Sequence, residues 1–208
     1  FIDEETEKES AAILLMDMKK EHFQVYFEEY PEKNYREVAK GIAQQASQRF
    51  TVPAFLIGTS HAAADGEEVL QGIAEVAGPA VNAYGGAAGD DYSFTGTNVF
   101  TNGRDSGHGI VCIALDESKV KIKGIATCGW KAVGTEKVVT KSEGNHVYTV
   151  DNIPVLDITA KYGGLENVTP ENNNLLIEIA ANFPLQLQRE KGDPLMRPGL
   201  QVDWTDRS

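Results

Sequence analysis

Residues 54–89 read AFLIGTSHAAADGEEVLQGIAEVAGPAVNAYGGAAG, and the succession of patterns in that stretch decides the fold class. The opening AFLIG, 54–58, is an unbroken apolar run of strand length, the pattern of a strand covered on both faces. Asp65 then stands as the N-cap of a helix predicted to reach Ala77. Glu67 and Glu68 fall in its first turn, where the helix dipole favours acids. Gly78-Pro79 stops the helix, and AVNAY, 80–84, supplies another short strand. Strand, helix and strand in this order form a parallel crossover unit.

Upstream, apolar residues recur at three and four from 32 to 50 (Tyr35, Val38, Ala39, Ile42, Ala43, Ala46, Phe50), which predicts an amphipathic helix with Pro31 just before it. AAILLMDM, 11–18, reads as a strand buried on both faces, and the acid-rich 1–9 as a solvated lead-in. Downstream of Gly85-Gly86 the style changes. Strands are predicted at 97–100, 109–115, 120–127, 136–141 and 146–150. The links between them are short and turn-rich (101–103, 116–118, 143–145), which favours antiparallel hairpins. A short helix is predicted from Pro154 to Gly163-Gly164, and another from Thr169-Pro170 to about 182. The fold class is α+β: N-terminal parallel β-α units, then an antiparallel β meander, with helices layered on mixed sheets. Residues 1–208 read as a single domain, expected to be cut at both ends from something longer.

The chain carries 31 acidic and 19 basic residues for a formal charge of −12. That field repels phosphate backbones and anionic lipid, so neither nucleic acid nor a membrane surface is an expected partner. No apolar run reaches the roughly 18 residues of a membrane span. Cys112 and Cys128 lie in apolar strand-like stretches without ligand spacing. They read as buried reduced thiols of a cytoplasmic protein.

Three clusters could carry chemistry. In the first, Gly85-Gly86-Ala87-Ala88-Gly89 is followed by Asp90 and Asp91. Residues with almost no side chain let main-chain N–H groups face a bound anion, and the two carboxylates could receive an ammonium. The competing reading is a tight turn with local caps. The phosphate-loop signature is absent. The second, 128–134, centres on Trp130, either a core plug or the apolar wall of a pocket. The third runs from Val138-Val139-Thr140 to Asp151-Asn152-Ile153-Pro154, and reads equally as a hairpin feeding a helix. His22, His61, His108 and His146 are scattered without metal-ligand or triad spacing.

Taken together, the clusters resemble the N-terminal domain of the FIST family. The family's glycine-rich pattern corresponds to Gly85-Gly86-Ala87-Ala88-Gly89-Asp90-Asp91, Phe94-Thr95, Val99-Phe100 and Asn102-Gly103. Its Gly-Trp and nearby Gly correspond to Gly129-Trp130 and Gly134. Its Val-Thr strand, acidic-Gly-Asn turn and Asp-x-x-Pro entry correspond to Val139-Thr140, Glu143-Gly144-Asn145 and Asp151 to Pro154. Two departures are Asn152, where the family usually has Gly, and Pro154-Val155, where Pro-Ala is common.

The resemblance implies an intracellular sensory domain, not an enzyme. It would bind a small molecule such as an amino acid and pass the signal to an output domain in the same chain, for instance in a two-component system. No cofactor is expected, and the oligomeric state stays open. The candidate ligand-binding residues are Gly85, Gly86, Gly89, Asp90, Asp91, Phe94, Trp130, Thr140 and Asp151. Their expected meeting point is where the 85–91 loop approaches Trp130 and the Asp151 turn. Two other readings are a metal-dependent hydrolase using Asp90 and Asp91, and an interaction scaffold whose acidic arm meets a basic partner.

Overall fold

The computed structural model describes residues 11–32, 34–60, 65–90, 95–125, 129–144, 146–166, 168–172, 182–189, 194–199 and 201–208. They divide into two compact units, Phe1–Ala126 and Thr127–Ser208.

In the first unit a 3-10 turn at Lys20–His22 leads into β1 (Phe23–Glu29), α1 (Tyr35–Arg49), β2 (Pro53–Thr59), α2 (Gly66–Ala77) and β3 (Ala83–Ala87). The hairpin of β4 (Val99–Thr101) and β5 (Arg104–Ser106) and the strand β6 (Gly109–Asp116) follow. The sheet order is β1-β6-β2-β3. β2 and β3 pair in parallel across α2, as the 54–89 stretch predicts. β6 is antiparallel to both β1 and β2 and lies between them. The first strand–helix–strand unit is therefore split by a late strand, and the sheet is mixed.

The core lies between one face of this sheet and the two helices. Register places Tyr26, Cys112 and Ile57 in one row and Ala114 and Phe55 in the next. These pack with Ala39, Ile42, Ala43 and Ala46 of α1 and with Val69 and Ile73 of α2. The helix periodicity read at 32–50 is thus the stripe that α1 buries. Asp65 caps α2 by accepting from the N–H groups of Glu67 and Glu68. Across the helix pair, Glu75 meets Arg36 and, at 2.9 Å, Lys40. The Arg36 hydrogen bond, then that of Lys40, holds the Glu75 carboxyl below its usual range.

Two strand expectations are corrected here. Residues 11–18 form no strand, and Ile13, Leu14 and Leu15 are largely exposed. The first strand is Phe23–Glu29, an edge strand with Glu and Gln among its residues, so it lacks the unbroken apolar run of a buried strand. The stretch predicted as a strand at 120–127 carries none over 120–125, and 126–128 lie outside the described residues. The third strand begins at Ala83 instead of 80 and extends through Gly85 and Gly86.

The second unit holds a three-stranded sheet in the order β7-β8-β9. Its strands are β7 (Val139–Glu143), β8 (His146–Val150) and β9 (Ile153–Pro154), and α3 (Val155–Gly163) follows. Leu156 and Ala160 of α3 pack with Val168, Leu165, Val202 and Trp204. A 3-10 turn opens at Pro170–Asn172, while the rest of the helix predicted there, 173–181, lies outside the described residues. β10 (Leu185–Leu187) pairs antiparallel with β11 (Leu195–Arg197).

Candidate functional site in the glycine strand

A cavity of about 350 Å³ opens beside β3 in the first unit. Ala83, Tyr84, Gly85, Gly86 and Ala87 form one wall, and Ile57 and Thr59 of β2 form its floor. Gly66, Val69 and Leu70 of α2 close a second side, and Gly124 and Ile125 a third. The carboxyl ends of two parallel strands and the start of the connecting helix diverge here, which is where α/β sheets collect ligands.

The two adjacent glycines of β3 have different duties. A Cβ on Gly85 would lie 1.9 Å from the carbonyl oxygen of Ile57, its register partner in β2, so only glycine fits. A Cβ on Gly86 would meet nothing within 4 Å. Gly85 therefore serves the sheet, while Gly86, paired with Gly58, borders the cavity with open space on its Cβ side. Gly89, just past the strand, also faces open space. Asp90 is described and exposed, while Asp91 and Phe94 lie outside the described residues.

β3 is the outermost strand. Phe55 N–H donates to Asn82 O and Ala88 N–H to Thr59 O, each at 2.8 Å. In a parallel ladder this alternation turns residues 82, 84, 86 and 88 toward β2. It leaves the N–H and C=O groups of Ala83, Gly85 and Ala87 on the outer edge. The Tyr84 hydroxyl donates to Asn82 Oδ1 at 3.2 Å. Its ring lies so close to Gly124 that a Cβ there would come within 2.2 Å of it. This contact seats the 124–125 segment as a pocket wall.

Just past β2, Ser60 is fully buried and fixes the exit of that strand. Its Oγ is 2.9 Å from the Tyr30 hydroxyl and accepts from Gly109 N–H at 2.7 Å. That hydroxyl is enclosed and engaged, so Ser60 is placed as a tie and not as a nucleophile. Cys112 is a free, buried thiol whose pKa burial pushes up to about 12. It should resist a thiol reagent at pH 8 in the folded chain and react once denaturant is added. Fast labelling of the native protein would contradict its burial. Cys128 and His61 lie outside the described residues. Among the described residues no group of three His, Cys, Asp or Glu is placed to hold a metal ion.

Thr140 and Asp151 come together in the second unit. Val150 and Ile153 pair across a two-residue turn, with φ of 52° at Asp151 and 63° at Asn152. Positive φ at both positions is the hairpin geometry that matches strand twist, and Asn is one of the few residues besides Gly that adopts it readily. Asp151 accepts from Val138 N–H at 2.9 Å and pairs with Lys137 at 2.8 Å. The Lys137 hydrogen bond, then that of Val138, lowers its pKa. Thr140 Oγ1 accepts from Asn152 N–H at 2.9 Å and lies 2.8 Å from Thr149 Oγ1. Trp130 is in the same unit, half-exposed, outside regular structure.

With these positions in place, comparison with known families is decisive. The profile of the FIST N domain matches residues 2–153. The chain belongs to the FIST family. No curated protein and no solved structure matches it. FIST domains are sensory domains of signal transduction, and no described helix of this one is long and apolar enough to cross a membrane. The FIST glycine motif is not a loop after a strand but partly the strand itself. The Asn152 departure is accommodated because its backbone takes the left-handed conformation that Gly would supply.

Sequence reasoning missed most of the lining, including Ile57, Thr59, Leu70, Tyr84 and Ile125. The carboxyl end of β2, Ile57 to Thr59, could have been found from the same crossover unit, since ligands collect at strand ends in α/β sheets. Ile125 carried no such signal, because its place depends on the Tyr84–Gly124 contact.

Proposed function

We propose that this FIST domain senses a small molecule, an amino acid or related metabolite, in the cavity beside β3, and passes the signal to an output domain of the same protein in the cytoplasm. The observation that carries the reading is a cavity lined by the family's own glycine motif, Gly85 and Gly86 among its residues. Its volume falls within the range of small-ligand pockets. Thr59, the main chain of β3 and the apolar side chains of α2 supply the mixture of few polar and many apolar groups that such sites use. Asp90 follows three residues after β3 ends, and Gly89 beside it has open space on its Cβ side.

The experiment is a thermal-shift screen of the chain against amino acids and related metabolites, followed by calorimetric titration of each hit. Gly86→Leu should fill the cavity and abolish binding while circular dichroism shows a folded protein. Asp90→Asn should weaken a zwitterionic or cationic hit about tenfold or more. A folded Gly86→Leu variant that binds every hit like wild type would place the ligand elsewhere.

A further inference from the structure

None of the twelve described residues lining the β3 cavity is charged, in a chain where charged residues make up 24%. The acids that open α2 beside it are turned to other work. Asp65 caps the helix, Glu67 accepts from Gln71 at 3.1 Å, and Glu68 pairs with Arg36 at 3.6 Å. The walls are Val69 and Leu70 on one side and Tyr84 and Ile125 on another. Charge inserted there would lose water without gaining a counter-charge from the described lining. The polar groups that remain are the Thr59 hydroxyl and the outer-edge N–H and C=O groups of Ala83, Gly85 and Ala87. Those main-chain groups repeat at strand spacing, the pattern that an extended amide matches when it is laid against an edge strand.

Building on the small-molecule reading of this cavity, we infer that its ligand is peptide-like: an amide-bearing group extended along the outer edge of β3, with one uncharged apolar side chain inserted between Leu70, Tyr84 and Ile125. Main-chain bonds to β3 hold the ligand, and the apolar walls select its side chain.

The test is calorimetric titration of the full chain with N-acetyl-L-leucinamide and N-acetyl-L-phenylalaninamide, against the corresponding lysine and glutamate amides and free L-leucine. The apolar amides should bind at least about tenfold more tightly than the charged ones, following the cost of burying an unpaired charge. They should also bind more tightly than free leucine, which lacks the flanking amides. Leu70→Asp, at a half-exposed helix position, should weaken them with the fold intact, and Gly86→Leu should abolish their binding. Charged amides binding as tightly as apolar ones would overturn the inference, as would free leucine outdoing its capped form, or no binding by either apolar amide. A charged metabolite whose binding is lost in Gly86→Leu would overturn it too, while leaving the sensing site in place. The sensing site itself fails only if no metabolite hit responds to Gly86→Leu.

Discussion

The glycine strand of the first unit and the Asp151–Asn152 turn of the second carry two of the motifs that mark the FIST family, and they spend their residues in opposite ways. The turn consumes its own polar groups. Asp151 is occupied by Lys137 and Val138, and Thr140 by Thr149 and Asn152. The strand leaves groups unspent: an outer edge of main-chain donors and acceptors, and a Gly86 whose missing side chain borders a cavity. The turn's polar groups bond one another, whereas the strand keeps space and hydrogen-bonding capacity open, and it is there that the proposed ligand site lies.

The sharpest way to break this comparison lies between neighbouring glycines. Gly85→Ala sets a methyl against the Ile57 carbonyl, and should cost about 3 kcal/mol or more of stability, or prevent folding, as overpacking against main chain does. Gly86→Ala should stay within about 0.5 kcal/mol, as a change that meets nothing does. Urea denaturation followed by circular dichroism measures both, and equal losses would erase the division of duties.

A smaller effect is expected at the turn. Asn152→Ala forces a Cβ-bearing residue without a polar side chain into positive φ, and should cost about 1 kcal/mol. Asn152→Gly should cost little or nothing. Both tryptophans, Trp130 and Trp204, lie in this unit, so fluorescence reports its unfolding. A loss in Asn152→Gly equal to that in Asn152→Ala would show that side-chain contacts, not backbone conformation, matter there.

The pH dependence of Asp151 is weaker still. Its folded pKa lies below the ordinary 3.8 because Lys137 and Val138 bond the carboxylate. Its contribution is therefore present above that value and lost as pH falls through the lowered one. Asp151→Asn should be less stable than wild type at neutral pH, and the two curves should converge in acid. A gap that persists undiminished under acid conditions would mean the carboxylate's charge is not what stabilises the turn.

The features that proved legible in sequence were local ones. The α1 stripe, the Asp65 cap and the β2-α2-β3 succession depend on spacing within a few residues; the first two stand where the pattern put them, and the succession holds with β3 starting three residues later. The insertion of β6 between β1 and β2 depends on a pairing across some ninety residues of chain, which no local period encodes. An unbroken apolar run stood out at 11–18 more strongly than the mixed edge strand at Phe23–Glu29, yet the edge strand is the one that pairs. At the site, small residues signalled the cavity wall. Composition could not separate Gly85, which the sheet requires, from Gly86, where a side chain meets nothing, because that distinction is set by which atom of β2 each one faces.

The central claim, that Gly86 keeps a ligand site open on a strand that Gly85 secures, is tested most directly by one titration. A metabolite hit from the thermal-shift screen is titrated calorimetrically into wild type and Gly86→Leu, with circular dichroism melting of both. The claim requires matching melting behaviour in the unliganded proteins and no measurable heat of binding in the variant. Wild-type affinity in a folded Gly86→Leu protein would contradict it.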